Sequence, residues 1–223
     1  MPKLEGRLAL ITGASRGLGR AVALAYAKEG AHVIITASRR SKVALEELDD
    51  EIQAAGGKCT IVPFNLTDFD AIDRLGGLIY ERWGRLDILV ANAAILGPIT
   101  PLGHIDIKDW QKLLDVNLTA NWRLIRSFDP LLKLSKAGRA IFVSTGAVGR
   151  NMSYWGGYTA TKAALEALAL TYASECATTN VGVNVLDPGG TATKMRATAF
   201  PGEDPESLPQ PEDVAALYVE LGS

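Results

Sequence analysis

A phenol and a primary amine lie four residues apart in the stretch YTATK, which runs from Tyr158 to Lys162. The apolar run AALEALAL follows directly, so the stretch is predicted to open a helix, on which positions i and i+4 share one face. Such a pair can be a proton donor and its activating cation, because a phenol with a pKa near 10 needs nearby positive charge to ionise at neutral pH. The pair can equally be two amphipathic surface side chains, and the pattern alone leaves both interpretations open.

A second chemical feature is the glycine-rich stretch TGASRGLG, which follows the first predicted strand. Gly13 permits a sharp turn, while Gly17 and Gly19 allow phosphate and neighbouring backbone to approach closely. The helix that follows would direct unpaired N–H groups and its positive dipole end at a pyrophosphate. Because a strand precedes the glycines and an amphipathic helix follows them, we predict a dinucleotide site here and not a ligand-free connection.

The residues after the second predicted strand bear on which dinucleotide is bound. An acid at this position would bind a ribose 2′-hydroxyl and repel a 2′-phosphate. Here the stretch IITASRRSK places Ser38, Arg39 and Arg40 at the strand end, without an acid, and Arg16 lies in the glycine turn. Guanidinium groups pair well with phosphate, so the sequence favours NADP(H) over NAD(H). The alternative is that these arginines only solvate a loop.

The elements that must position these residues alternate regularly between strands and helices. Strands are predicted at 7–12, 31–36, 58–64, 86–91, 140–145 and 181–186, and helices at 18–29, 42–55, 70–83, a broken stretch over 108–134, 158–179 and 211–221. Most strands are apolar on both faces, as in a parallel sheet covered by helices on both sides. The sequence therefore predicts an α/β fold with a doubly wound, Rossmann-type parallel sheet in three layers, forming a single domain over 1–223.

Composition excludes several functional classes. Hydrophobic residues make up 48% and charged residues 22% of the 223 residues, as in ordinary soluble globular proteins. The net charge of −2 lacks the basic character of a nucleic-acid-binding protein. No run approaches the ~18 apolar residues of a membrane span, and no secretory segment precedes the first glycines. The two cysteines, Cys59 and Cys176, lack metal-ligand spacing, so we expect free thiols, no metal site and a cytoplasmic location.

The least regular segment, 188–213, is rich in Pro, Gly, Thr and acids. It follows the carboxyl end of the last strand, where sheets of this kind bind ligands. We interpret it as a mobile lid over the substrate site, the alternative being an ordinary surface loop. Trp155, three residues before Tyr158, is either a core residue or a wall of the same site.

Several short motifs occur in a characteristic order along nearly the whole chain. They are TGASRGLG (12–19), NLTD (65–68), ANAA (91–94), Asn117 in VNLTAN, VST at the end of the fifth strand, YTATK (158–162) and DPGGTATKM (187–195). In these motifs the chain resembles the short-chain dehydrogenase/reductase family in its small single-domain form. The resemblance implies an NADP(H)-dependent oxidoreductase that interconverts a carbonyl and a secondary alcohol by hydride transfer.

The resemblance also implies catalytic roles. Tyr158 would be the proton donor, and Lys162 would activate it and bind the nicotinamide ribose. Asn117 would hold a water molecule in a proton relay; alternatively, its amide only satisfies a neighbouring carbonyl. A hydroxyl near the end of the fifth strand would orient the substrate carbonyl. The family's usual spacing of thirteen residues before Tyr158 falls on Thr145, with Ser144 as the second candidate.

By the same resemblance, the cofactor would be bound by residues from every strand end and by the catalytic pair. These are Gly13, Ser15, Arg16, Gly17, Leu18, Gly19, Ser38, Arg39, Asn65, Leu66, Asn92, Ala93, Ala94, Tyr158, Lys162, Pro188, Gly189 and Thr191. The chain departs from the family at Asn65, where Asp is more usual, and at Ala94, where Gly is usual. It also ends soon after 211–221, where the family usually continues to a seventh strand.

The implied partner is a small-molecule carbonyl or alcohol substrate, and the implied assembly is a homodimer or homotetramer. A noncatalytic NADP-binding sensor or assembly subunit is the alternative, supported by the departures from the family pattern. A sugar-nucleotide epimerase fits less well, because little sequence follows the sixth strand to build a substrate domain.

Overall fold

The structure, a computed structural model, describes residues 2–223 and contains one six-stranded sheet. In spatial order the strands are β3-β2-β1-β4-β5-β6, and every neighbouring pair is parallel. The strands are β1 Leu8–Thr12, β2 His32–Thr36, β3 Lys58–Ile61, β4 Ile88–Ala91, β5 Gly138–Val143 and β6 Val181–Leu186. The predicted doubly wound parallel sheet is confirmed.

Helices connect the strands and cover both faces of the sheet. They are α1 Gly17–Lys28, α2 Lys42–Ala54, α3 Phe69–Trp83, α4 Ile107–Leu114, α5 Ala120–Lys133, α6 Gly156–Glu175, α7 Lys194–Ala199 and α8 Pro211–Gly222. A π-helical turn, Asp115–Thr119, joins α4 to α5 and accounts for the predicted break in this stretch. Within residues 2–223, no helix combines the length and the apolar character that crossing a bilayer would require.

Three element boundaries differ from the prediction. Strand β3 ends at Ile61 and not at residue 64, although the N–H groups of Val62 and Phe64 still donate to the Ile35 and Ala37 carbonyls, each over 3.0 Å. Strand β5 ends at Val143, so Ser144 and Thr145 lie just beyond the sheet. Helix α6 begins two residues before Tyr158 and ends at Glu175, because a turn capped by the Thr179 hydroxyl follows it.

The central strands β1, β2, β4 and β5 are buried on both faces because they separate two cores. Along β1, Ala9 and Ile11 pack into the core that α1, α2 and α8 complete, while Leu10 faces the core built with α3, α5 and α6. This alternation follows from the two-residue period of a strand. Helix α8 is fixed to α1 by the buried Tyr26, whose hydroxyl donates to the Tyr218 carbonyl over 2.8 Å.

Candidate functional site

All six strands are parallel, so their carboxyl ends meet at one edge of the sheet. The glycine turn follows β1, the arginine segment follows β2, and the Asn92 segment follows β4. Ser144 and Thr145 follow β5, and the segment from Asp187 follows β6. In open α/β sheets this edge is where ligands bind, and here it gathers every motif that the sequence singled out.

The glycine turn is compact enough to require its glycines. Gly13 and Gly17 have φ values of +70° and +53°, a backbone conformation that residues with a side chain rarely adopt. A Cβ on Gly19 would lie 2.4 Å from the Gly13 carbonyl oxygen, and one on Gly13 would lie 2.9 Å from the Ala93 Cα. The start of α1 can therefore pack directly against the turn and the end of β4.

A polar clamp joins the end of β4 to the glycine turn. The Asn92 side-chain amide donates to the Thr12 carbonyl over 2.9 Å. The Thr12 hydroxyl accepts hydrogen bonds from the backbone N–H groups of Asn92 and Ala93, each over 3.0 Å. Thr12 is buried, and these bonds hold the glycine turn against the segment that contains the predicted cofactor residues Ala93 and Ala94.

The beginning of α1 fits a dinucleotide phosphate. Its N-cap residue, Arg16, makes no side-chain cap, and the first turn contains no acid, so the N–H groups there are free to bind an anion. Arg16 and Arg39 are exposed, and neither forms an ion pair with another side chain of residues 2–223. Ser38, beside Arg39, shares a hydrogen bond of 3.3 Å with the Ser41 hydroxyl. Free N–H donors and free guanidinium groups at one edge suit a phosphorylated dinucleotide.

The remaining cofactor candidates lie at the flanks of this edge. Asn65 is exposed and Leu66 half-buried after β3, and the Asn65 carbonyl accepts from the Asp68 N–H over 2.9 Å. After β6, the Thr191 hydroxyl donates to the Pro188 carbonyl over 3.2 Å, so its proton is already used within the segment. Gly189 in this segment has a φ of +70°.

The predicted catalytic pair is buried at the start of α6. Tyr158 is 9% exposed, and burial raises the pKa of its phenol to about 12. A hydrogen bond with the Thr145 side chain lowers this pKa, and the charge of Asp187 raises it. Lys162 is 2% exposed, and burial lowers the pKa of its ammonium to about 8, against the opposing charge of Glu166.

The position of Lys162 is defined by two contacts. Its Nζ donates to the Val143 carbonyl at the end of β5 over 2.7 Å and lies 5.9 Å from the centroid of the Tyr158 ring. The ammonium therefore lies one helical turn from the phenol, inside the protein, where its charge acts strongly. The site thus combines a phenol that keeps its proton at neutral pH with a buried ammonium group.

The two hydroxyl candidates after β5 have different partners. The Ser144 hydroxyl donates to the Glu166 carboxylate over 2.5 Å, and its N–H donates to the Leu186 carbonyl over 2.7 Å. The Thr145 hydroxyl accepts from the Ala147 N–H over 3.3 Å, and the Thr145 side chain lowers the pKa of the Tyr158 phenol. Of the two hydroxyls, Thr145 is therefore the one that acts on the phenol.

Asn117 lies in the π-helical turn and is fully buried. Its Oδ1 accepts from the Ile95 N–H and its Nδ2 donates to the Ile95 carbonyl, each over 2.9 Å. Nδ2 also contacts the Thr161 hydroxyl over 3.0 Å, and the Asn117 carbonyl accepts from the Asn121 amide over 2.8 Å. The side chain therefore joins the segment after β4 to α6. This agrees with the alternative in which the Asn117 amide satisfies a neighbouring carbonyl.

An aromatic stack connects the segment 188–213 to the catalytic tyrosine. The Trp155 ring lies 6.0 Å from the Tyr158 ring and 5.4 Å from the Phe200 ring, measured between centroids. The Arg196 guanidinium lies 3.9 Å from the Phe200 ring and forms a two-pronged ion pair with Glu203, at 2.5 and 2.6 Å. The segment is thus anchored beside Tyr158, as its interpretation as a lid requires; its mobility stays a prediction.

Sequence reasoning missed three residues of the site. Glu166 and Phe200 contact predicted site residues, and Thr161 is a partner of Asn117. Two of them had a local signal, because Glu166 lies four residues after Lys162 on the same helical face and Thr161 lies within the YTATK stretch. Phe200 reaches the site only through a contact between separate elements.

Known proteins share this fold over the whole chain and resemble it in sequence over nearly all of its length. The family model for short chain dehydrogenase matches residues 7–204. An uncharacterised oxidoreductase of Escherichia coli, YciK, is 35% identical over 221 residues, which cover 98% of this chain and 86% of the relative. A short chain dehydrogenase of Salmonella enterica serovar Typhi has a TM-score of 0.95 at 34% identity, covering 100% of this chain and 92% of that one. Another, from E. coli and in complex with NADPH, has a TM-score of 0.94 at 34% identity, covering 100% and 92%.

Proposed function

The chain belongs to the short chain dehydrogenase family, whose members are oxidoreductases, and on that premise we propose that it uses NADP(H) to interconvert a carbonyl and a secondary alcohol. The observation that carries the proposal is the buried phenol of Tyr158 one helical turn from the buried ammonium of Lys162. A protein that only sensed the cofactor would need the glycine turn but no such proton-transferring pair.

In the proposed reaction the protein manages the proton. The bound cofactor supplies hydride to the carbonyl carbon in reduction and accepts it in oxidation. In reduction, the Tyr158 hydroxyl gives its proton to the oxygen that becomes the alcohol, and the Thr145 hydroxyl donates a hydrogen bond to the same oxygen. The Lys162 ammonium stabilises the phenolate that remains. Its donor capacity exceeds the single bond to Val143, so it can also bind a ribose hydroxyl.

The protonation state of the phenol suits the acid role. With a pKa of about 12, Tyr158 carries its proton at neutral pH and is ready to donate it. Alcohol oxidation needs the phenolate, so it requires further positive charge, which an oxidised nicotinamide provides. Reduction is therefore favoured at neutral pH, and oxidation is favoured as the pH rises.

Preference for NADP(H) is proposed from the arginines at the cofactor edge. Arg16 and Arg39 lie exposed after β1 and β2, and guanidinium groups bind a 2′-phosphate better than they bind a hydroxyl. The related E. coli protein that holds NADPH supports this choice. The apolar wall of Trp155 and Phe200 beside Tyr158 supports a substrate with an apolar group next to its carbonyl.

The first test is cofactor binding, measured by fluorescence titration of the purified chain with NADPH and separately with NADH. Tight NADPH binding with weak NADH binding is expected, and binding of neither by folded protein would remove the basis of the proposal.

The second test is a screen of ketones with NADPH, in which Tyr158→Phe is expected to lower turnover by about 10²-fold or more while NADPH still binds. Tyr80→Phe, an exposed tyrosine on α3, is the matched control and should retain full turnover. If the chain binds NADPH and Tyr158→Phe reduces ketones as fast as the unaltered chain, Tyr158 is not the proton donor. NADPH binding without turnover of any ketone would favour a noncatalytic NADP-binding protein.

A further inference from the structure

The ammonium of Lys162 is buried, and few interactions offset the cost of burying its charge. The side chain is 2% exposed, and its hydrogen-bond partner is one uncharged group, the Val143 carbonyl. Among residues 2–223, no carboxylate lies within 4.0 Å of its Nζ. A buried charge is costly unless an opposite charge acts on it, so the nearest acidic group matters for its protonation.

Glu166 is the acidic group whose charge acts on Lys162, and Ser144 holds its carboxylate in place. Glu166 lies one turn after Lys162 on the same face of α6 and is half-buried. The Ser144 hydroxyl donates to its Oε1 over 2.5 Å, and Ser144 is itself buried and bonded to β6 through its N–H. This hydrogen bond restrains a side chain that could otherwise turn to solvent.

The ionisable side chains of the elements that pack against this part of α6 have other partners or are exposed, and Asp187 and Arg150 lie together beside Gly146. Strand β6 has no ionisable side chain, and the Arg139 guanidinium of β5 bonds to the Gly138 carbonyl at the opposite end of that strand. Asp115 of the π-helical turn accepts from Gln111, and Asp187 after β6 acts on Tyr158. The ionisable residues of α4 are exposed, namely Lys108, Asp109 and Lys112.

We propose that Glu166 is a positioning residue of this site, whose carboxylate, fixed by the Ser144 hydroxyl, supplies the negative charge that keeps the buried Lys162 protonated. Its consequence rests on the proposed function. In that function, Lys162 stays charged beside Tyr158 through the pH range of the reaction. The charge of Glu166 opposes the effect of burial on the Lys162 pKa, in agreement with this role. Without it, Lys162 would lose its proton at lower pH.

A direct test follows the ε-carbon of Lys162 by NMR in the full chain labelled with [13C]lysine, with Lys162→Met identifying the signal. Glu166→Gln should lower the titration midpoint of Lys162 by about 1 pH unit, the order expected for unit charges several ångströms apart in a partly buried site. Ser144→Ala should lower it by a smaller amount. Glu175→Gln removes the same charge from the exposed end of α6 and should leave the midpoint unchanged.

The pH profile of NADPH-dependent reduction of ethyl acetoacetate provides the functional readout. In Glu166→Gln, the alkaline limb of kcat should move to lower pH by the same interval as the NMR midpoint. An unchanged Lys162 midpoint in Glu166→Gln overturns the inference, even in a fully active enzyme. A lowered midpoint in a chain that reduces no ketone supports the inference and counts against the proposed function alone.

Discussion

Burial of Lys162 should appear as a pH dependence of stability that a single substitution removes. The ordinary lysine pKa of 10.5 applies to the unfolded chain, and the folded value is about 8. Between these values the unfolded state binds more protons than the folded state, so the free energy of unfolding rises with pH. The interval corresponds to roughly 3 kcal/mol, most of which develops between about pH 8 and pH 10.5.

The perturbation is Lys162→Met, which keeps the apolar stem and removes the ionisable group. Below about pH 8 both states of the unaltered chain carry the ammonium, so its burial penalty is fully present there, and the variant should be relatively more stable. As the pH rises from about 6.5 to about 9.5, the free energy of unfolding of the variant relative to the unaltered chain should fall by about 2 kcal/mol.

Urea unfolding followed by circular dichroism at several pH values measures this difference. Lys136→Met removes an exposed lysine and is the matched control, for which the difference should be independent of pH. A difference between Lys162→Met and the unaltered chain that stays constant, or that grows with pH, would refute the reasoning. In that case the ammonium of Lys162 would not be destabilised by burial in the folded chain.

Three further predictions concern the same edge of the sheet. Thr145→Val should lower kcat by about 10²-fold because a donor to the substrate oxygen is lost, while Ser144→Ala should lower it less than about tenfold; the reverse order in steady-state kinetics would exchange their roles. Arg39→Ala should weaken NADPH binding by about tenfold or more and leave NADH binding nearly unchanged, and equal weakening in fluorescence titrations would contradict the 2′-phosphate contact. Asn117→Ala should lower the free energy of unfolding by about 2–3 kcal/mol, because the Ile95 N–H and carbonyl lose their partner; urea unfolding with no loss would show that this clamp does not stabilise the fold.

Features that depend on local periodicity could be predicted from the sequence. The central strands are recognisable because a strand buried on both faces is continuously apolar, and the parallel sheet follows from the helices between the six strands. The break over 108–134 was predicted, although its form as a π-helical turn was not. The glycine turn was predicted because its strand–turn–helix context is contiguous in the chain.

Contacts between distant segments could not be predicted. The partners of the Asn117 side chain lie 22 and 44 positions away, and nothing in the sequence identifies Ile95 or Thr161 as those partners. Phe200 reaches Trp155 only because the segment after β6 folds back over the start of α6. Such contacts depend on how separate elements pack, which residue spacing within one element does not specify.

By itself, the sequence determined that Tyr158 and Lys162 share a helical face, since 3.6 residues per turn places positions i and i+4 together. It also determined that the glycine turn, Arg16 and Arg39 lie at the carboxyl edge of a parallel sheet. Only the tertiary structure decided that Ser144 bonds to Glu166 and that Lys162 is enclosed with a pKa of about 8. Desolvation and side-chain direction arise when β5, β6 and α6 pack together, so the electrostatics of the site exist only in the folded chain.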